Sequence, residues 1–288
     1  VADNTVTILD ANQALLGSLT QLGTDIADGT LIAANGLVLE FGKNIAGRGV
    51  VDTPNDELLA LMNNGVIIGG FPGAIELTGY VKGVGTLENV TVSGTLAPGF
   101  SPVRMHASNL EIAANGELVM ELGGLIGGSE YDQLDVSGDL HLGGTLQVSL
   151  IGGFAPELGD TFDILDFGEL NGTEFDAVEL PGLAGRKTWD ISGLYVTGEI
   201  TVIGMLDGDT DIDLDVDSID YGAFVSAFGD AGDWRTDFNE DGRVNLADFV
   251  LMRGNFGVGA GASPGDVSET MTTPEPMTLM ILASGALV

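Results

Sequence analysis

The residues best equipped for chemistry in this chain are aspartates and asparagines spaced along two short stretches. Asp237, Asn239, Asp241, Gly242, Asn245 and Asp248 stand at places one, three, five, six, nine and twelve of one stretch. A hard cation such as Ca2+ takes six to eight oxygens. Short carboxylates and amides on alternate residues can supply that cage, and a glycine at the sixth place permits the sharp turn. Arg243, at the seventh place, would offer its backbone carbonyl and turn its cationic side chain outward. Val244, at the eighth, is expected to pair with its counterpart in the other stretch. That stretch carries Asp209, Asp211, Asp213, Asp217 and Asp220 at places one, three, five, nine and twelve, with Asp215 at the seventh and Leu214 where glycine is expected. A left-handed backbone at Leu214 would cost about 1 kcal/mol.

Each stretch runs into an apolar helical pattern, Tyr221-Gly-Ala-Phe-Val-Ser-Ala-Phe-Gly229 and Phe249-Val-Leu-Met-Arg-Gly-Asn-Phe-Gly257. Aligning Asp220 on Asp248 carries Gly229 onto Gly257, so the segment is an internal duplication. Runs of aspartate are often solvated linkers, but a helical pattern after each copy speaks for folded loops. Phe224, Val225, Phe228, Phe249, Leu251, Met252 and Phe256 read as the core of such a module. Neither loop ends in glutamate; the shorter aspartate requires a closer approach of the following helix. With Asp220-Tyr221 and Asp248-Phe249 at the loop-helix joins, residues 205–258 resemble dockerin type I repeats. The resemblance implies a small α-helical EF-hand-like module, bound Ca2+ and attachment to a cohesin-like partner.

The elements that must carry this module are β-strands. Thr5-Val-Thr-Ile-Leu9, Leu37-Val-Leu-Glu-Phe41 and Thr145-Leu-Gln-Val-Ser-Leu150 alternate apolar with polar residues, the period of a strand. Asn35-Gly36, Asn64-Gly65, Asn115-Gly116 and Asn171-Gly172 supply residues that accept positive φ at tight turns. Asp56–Met62 suits a turn or two of helix, and Asn12–Leu22 fits either helix or strand. Segments beginning at Gly29, Gly85 and Asn109 read as copies of one another, as in a parallel β-solenoid whose rungs bury their inward side chains on their neighbours. An antiparallel sandwich is the competing architecture.

Ala97-Pro-Gly-Phe-Ser-Pro102, Leu118–Gly124, Tyr131–Gly138, Leu142–Leu150, Gly159–Leu165 and Trp189–Tyr195 together resemble autotransporter-like β-solenoid proteins exported by bacteria. That resemblance spans about residues 85–204 and implies an extracellular β-solenoid closed by a β-rich cap, with no active site attached. The expected organisation is therefore mainly β: solenoid over 1–125, β-rich cap over 126–204, calcium module over 205–258, and linker with tail over 259–288. In that tail Pro274-Glu-Pro276 precedes the apolar run Met277–Val288, which resembles a PEP-CTERM sorting segment. The run is about half the length needed to cross a bilayer, and no Lys or Arg follows it. Transient membrane contact through it, or burial on a neighbouring subunit, is the expectation.

A formal net charge of -34 argues against nucleic acid and anionic lipid as partners and favours cations. With 44% hydrophobic residues the chain still has a core, and with no cysteine it has no disulfides or thiolate chemistry. Val1 begins without a basic or apolar leader, and the exported reading takes a signal peptide to have been removed. Catalysis is not expected. Lys43, Arg48, Lys82, Arg104, Arg186 and Lys187 form no recognisable cluster with acids, His106 and His141 read as surface residues, and Asp132, Asp135 and Asp139 are expected to face solvent. The resulting expectation is an extracellular or cell-surface structural protein that binds calcium and assembles with copies of itself into a filament or layer. The alternatives are a dockerin-type subunit binding a cohesin-like protein, and a solenoid that binds or processes surface polysaccharide.

Overall fold

A computed structural model of the chain describes residues 6–10, 14–23, 27–70, 74–99 and 102–259. The Pro274-Glu-Pro276 motif and the Met277–Val288 run lie outside these. The chain divides into two units, residues 1–182 with 189–202, and residues 183–188 with the segment from 203.

The first unit is a parallel, solenoid-like β structure in which successive strands fall into three columns. Gly29–Ile32, Gly49–Asp52, Ile75–Leu77, Val90–Val92 and Leu110–Ile112 stack in the first. Leu37–Leu39, Leu61–Asn63, Tyr80–Gly83, Thr95–Pro98, Glu117–Leu122, Thr145–Leu150 and Ala177–Glu179 stack in the second. Asn44–Gly47, Val66–Gly69, Thr86–Glu88 and Arg104–Ala107 stack in the third. Gln133–His141 turns a corner: its first half pairs with Arg104–Ala107 and its end with Leu110–Glu111. Every pairing within the columns is parallel, which excludes the antiparallel sandwich. The columns continue to Glu179, into the stretch expected to form a cap. There an antiparallel pairing of Thr161–Asp163 with Glu199–Thr201 is added.

Alternation builds the core directly. Leu31, Val51, Leu77, Val92 and Ile112 occupy one register row, and Leu37, Leu61, Val81, Leu96, Leu118 and Leu146 another. All are buried. A side chain in such a row rests on the equivalents one strand spacing, about 4.8 Å, above and below. The segment at Gly29 and the one at Asn109 do occupy equivalent places, a first-column strand, an Ala-Ala-Asn-Gly corner and a second-column strand. The Gly85 segment does not; it begins one face earlier, since Thr86–Glu88 belongs to the third column. Asp56–Met62 resolves into a short 3-10 turn, Glu57–Leu59, followed by strand, and Asn12–Leu22 carries strands at Ala14–Leu15 and Leu19–Leu22.

The Asn-Gly corners work in two ways. Gly36, Asn171 and Gly172 adopt positive φ as expected. Gly65 and Gly116 do not; a Cβ there would collide with the carbonyl oxygens of Lys43 and Val92 in neighbouring turns, so the requirement is for close backbone approach. Asp132 also departs from expectation. It is buried, with its carboxylate accepting the backbone N–H groups of Val103 at 2.8 Å and Glu121 at 2.9 Å. His106 and His141 are exposed as read from the sequence. His106 lies 3.0 Å from Asp135.

In the second unit, helices α1 (Ser218–Ala227) and α2 (Leu246–Asn255) follow the two aspartate-rich loops. Phe224, Phe249 and Met252 are buried together with Val216, Phe238 and Val244, and Val225, Phe228, Leu251 and Phe256 pack around them. Phe224 sits at the centre, 5.8 Å from the Phe238 ring and 6.2 Å from that of Phe249.

Candidate metal centre

The loops Asp209–Asp220 and Asp237–Asp248 fold alike because equivalent residues make equivalent bonds. Asp217 and Asn245 cap α1 and α2, accepting the N–H groups of Ile219 at 2.6 Å and Ala247 at 2.8 Å. Asp220 and Asp248, in the first turns, return a carboxylate oxygen to the cap N–H at 2.7 and 2.9 Å, completing a capping box. Their other oxygens reach back to the loop starts. Here the copies differ by one place: Asp220 Oδ1 accepts the N–H of Thr210, the second residue of its loop, at 2.7 Å, and Asp248 Oδ1 that of Asn239, the third of its loop, at 3.1 Å.

The first aspartates brace the loop middles. Asp209 Oδ2 accepts the Leu214 N–H at 3.1 Å and Asp237 Oδ2 the Gly242 N–H at 2.7 Å. Asp209, Asp220, Asp237 and Asp248 are all buried. The fourth and sixth residues of both loops are left-handed: Ile212 at 68° and Leu214 at 70°, Glu240 at 57° and Gly242 at 88°. The first loop therefore holds two apolar side chains, one of them β-branched, in a conformation that disfavours them.

The charge arrangement differs between the copies. Oxygens of Asp209, Asp211 and Asp213 lie within 4.8 Å of one another, and so do those of Asp215, Asp217 and Asp220. Desolvation, then the neighbouring carboxylates, raise the pKa values of Asp211 and Asp215; Asp209 is raised chiefly by desolvation. Oδ1 of Asp215 is buried without a hydrogen-bond partner. An all-oxygen donor set with an unmatched buried acceptor fits a hard cation. In the second loop, asparagine amides take part of that place: Nδ2 of Asn239 and of Asn245 donate to Asp241 Oδ2 at 3.1 and 3.3 Å. Asn245 Nδ2 also reaches the Arg243 carbonyl at 3.2 Å, and the Arg243 residue is exposed. By closeness of carboxylates the first loop is thus the denser cluster, although its sequence departs further from the loop pattern.

The eighth residues do not pair with each other. Val216 donates to the Val258 carbonyl at 3.0 Å and accepts from Gly257 at 2.8 Å, whereas Val244 donates to Asp230 at 3.2 Å and accepts from Gly229 at 2.9 Å. Each loop is stitched to the segment that follows the other loop's helix, so the duplicated halves clasp reciprocally. Sequence spacing gave no sign of this, because both partners lie beyond a helix.

Arg186 was likewise not legible as a module residue. Its guanidinium pairs with Asp207 at 3.3 Å, donates to the carbonyls of Leu206 at 3.0 Å and Trp234 at 2.9 Å, and lies 5.1 Å from the centre of the Phe238 ring. It thereby ties the entry to the first loop to the stretch before the second. No local motif around Arg186 announces that role.

Comparison of the chain with protein-family models, curated proteins and solved structures finds no match, so the functional reading rests on this geometry.

Proposed function

We propose that this is an extracellular, calcium-binding, non-catalytic structural protein of the cell surface or matrix, with a rigid β-solenoid carrying a small EF-hand-like, dockerin-like module. The observation that carries the reading is the reciprocal clasp of two equivalent acidic loops, with Asp209, Asp220, Asp237 and Asp248 buried beneath helix caps. Asp209, Asp211, Asp213, Asp215, Asp217 and Asp220 would hold one Ca2+. Asp237, Asn239, Asp241, Asn245, Asp248 and the Arg243 carbonyl would hold a second. The ion supplies positive charge that offsets carboxylate repulsion, locking the module without taking part in a reaction. A net charge of -34 makes free calcium, abundant outside cells, a natural counter-ion. Exposed apolar side chains such as Phe41, at 92% exposure, suit contacts with further copies in a filament or layer.

Isothermal titration of calcium into the metal-free chain, followed by electron microscopy with and without chelator, tests this reading. Calcium binding with calcium-dependent fibres or sheets is expected, and absence of calcium binding overturns it. A second reading, attachment to a cohesin-like partner, draws on Ile219 and Val250, exposed on α1 and α2 at 63% and 67%. Monodisperse, calcium-loaded protein that is captured by a cohesin module would favour that reading over self-assembly.

A further inference from the structure

The outer face of the second column is bounded by two excursions from the solenoid's corners. Residues 53–60 lean along the stack: the Pro54 carbonyl accepts the Tyr80 N–H at 3.0 Å, Asn55 Oδ1 accepts the Thr95 N–H at 3.2 Å, and Glu57 pairs with Lys82 at 3.2 Å. Residues 123–132 return toward the same strands, ending in the doubly bonded, buried carboxylate of Asp132. Between them lies a recess of about 90 Å³ lined by Glu57, Tyr80, Lys82, Val119, Glu121 and Asp132. A more open recess of about 330 Å³ on the same face is lined by Asn55, Thr95, Glu117, Thr145 and Glu179. Lys82 thus does stand among acids, contrary to the reading from sequence.

We propose that this face binds an uncharged, hydroxyl-rich glycan chain lying along the stack. Residues recur in register along this face, Tyr80, Glu117 and Thr145 in one row, with the buried Thr95, whose hydroxyl donates to Glu117, between the first two, and Lys82, Ala97 and Val119 in the next. Neighbouring places in a row stand one strand spacing, about 4.8 Å, apart, a step comparable to one pyranose ring. The half-buried Tyr80 offers a flat apolar surface beside polar groups, the mixture that a sugar ring presents in return. Glu57, Glu117, Glu121 and Glu179 make the face rich in acceptors, which matches hydroxyl donors and repels uronate or sulfate groups. Lys82 is tied to Glu57 at 3.2 Å, so the face keeps an acidic balance, and the chitosan arm of the test below asks whether it takes a cationic polymer instead. The Asp132 bonds to Val103 and Glu121 hold the walls in place before any ligand arrives, which lowers the ordering cost of binding.

Affinity electrophoresis of the full chain tests this, in gels containing soluble neutral polysaccharides (mannan, glucomannan, hydroxyethyl cellulose), polygalacturonate, or chitosan fragments. Retardation by a neutral polysaccharide is expected, with at least a tenfold loss in Tyr80→Ala and Lys82→Met, and unchanged retardation in Glu169→Gln. Circular dichroism of each variant confirms the fold; if Tyr80→Ala does not fold, Lys82→Met and Glu57→Gln provide the same reading. The proposal is overturned by no retardation in any neutral polysaccharide, by retardation only in the charged ones, or by undiminished retardation of the folded variants. Repeating the runs with chelator separates this site from the calcium module, because retardation should persist without calcium.

Discussion

The N–H of Leu214 donates to Asp209 at 3.1 Å, the bond that Gly242 makes to Asp237 at 2.7 Å, but Leu214 makes it from a left-handed backbone at φ 70°. An L-residue with a Cβ pays about 1 kcal/mol for that conformation, and glycine does not. Leu214→Gly should therefore raise the stability of the module by about 1 kcal/mol and tighten calcium binding at the first loop. Chemical denaturation monitored at Trp234, with calcium titration of the same variant, measures both; a destabilised variant would show that Leu214 packing outweighs the strain.

Calcium removal should act most strongly where carboxylates crowd without amide donors. If the loops hold calcium as proposed, an ion at about 100 times Kd would add about 2.7 kcal/mol per site, so chelator should lower the melting temperature of the second unit and leave that of the solenoid in place. Asp215→Asn should reduce calcium affinity at the first loop and, because it removes a charge from the Asp215, Asp217 and Asp220 cluster, stabilise the metal-free module. Opposite signs with and without calcium, read by calorimetry, distinguish a ligand from a merely repulsive carboxylate.

Tyr221 and Phe249 occupy equivalent positions in α1 and α2, with ring centres 6.4 Å apart. The Tyr221 hydroxyl is buried without a partner, and such a group costs about 1 kcal/mol or more. Tyr221→Phe, which installs the residue of the other copy, should stabilise the module by about 1 kcal/mol in denaturant titrations. A loss of stability would mean that the hydroxyl is satisfied by water.

How much of this could be read in the chain follows from the range of the interactions. Alternation in Thr145-Leu-Gln-Val-Ser-Leu150 is local, and it identified the strand. The same alternation serves a sandwich or a solenoid, so parallel winding is evident only once Leu31 is seen above Val51 and Leu77. Asp217, Asp220, Asn245 and Asp248 were legible as places nine and twelve of the loops because that spacing is local, but their capping of the helices emerges only from the structure. The clasp of Val216 with Gly257 and Val258, the Arg186 ties and the burial of Asp132 depend on partners brought from distant positions, for which spacing carries no signal. Asp132 lies in a strand-turn pattern, Tyr131–Gly138, for which the sequence predicts a solvent-facing acid, whereas two backbone donors hold it buried.

That buried carboxylate makes a pH prediction with a definite sign. Desolvation is the main cause that pushes Asp132 from an ordinary 3.8 up to about 7, against the opposing effect of the Glu121 and Val103 N–H bonds. A group whose pKa is raised on folding favours the folded state fully below pH 3.8, and its contribution is lost as pH climbs through about 7. The shift corresponds to a loss on the order of 4 kcal/mol across that window. Asp132→Asn carries no charge at any pH, but where the neutral acid of the parent keeps an acceptor on each oxygen, the amide NH2 accepts nothing, leaving a buried N–H short of a partner at a cost of about 1–3 kcal/mol. The variant should be less stable than the parent near pH 5 and overtake it above pH 7. Urea titrations of both proteins across that range measure the difference, in which groups common to both proteins cancel. Parallel stability curves would show that Asp132 remains ionised on folding and that its two N–H bonds outweigh its burial.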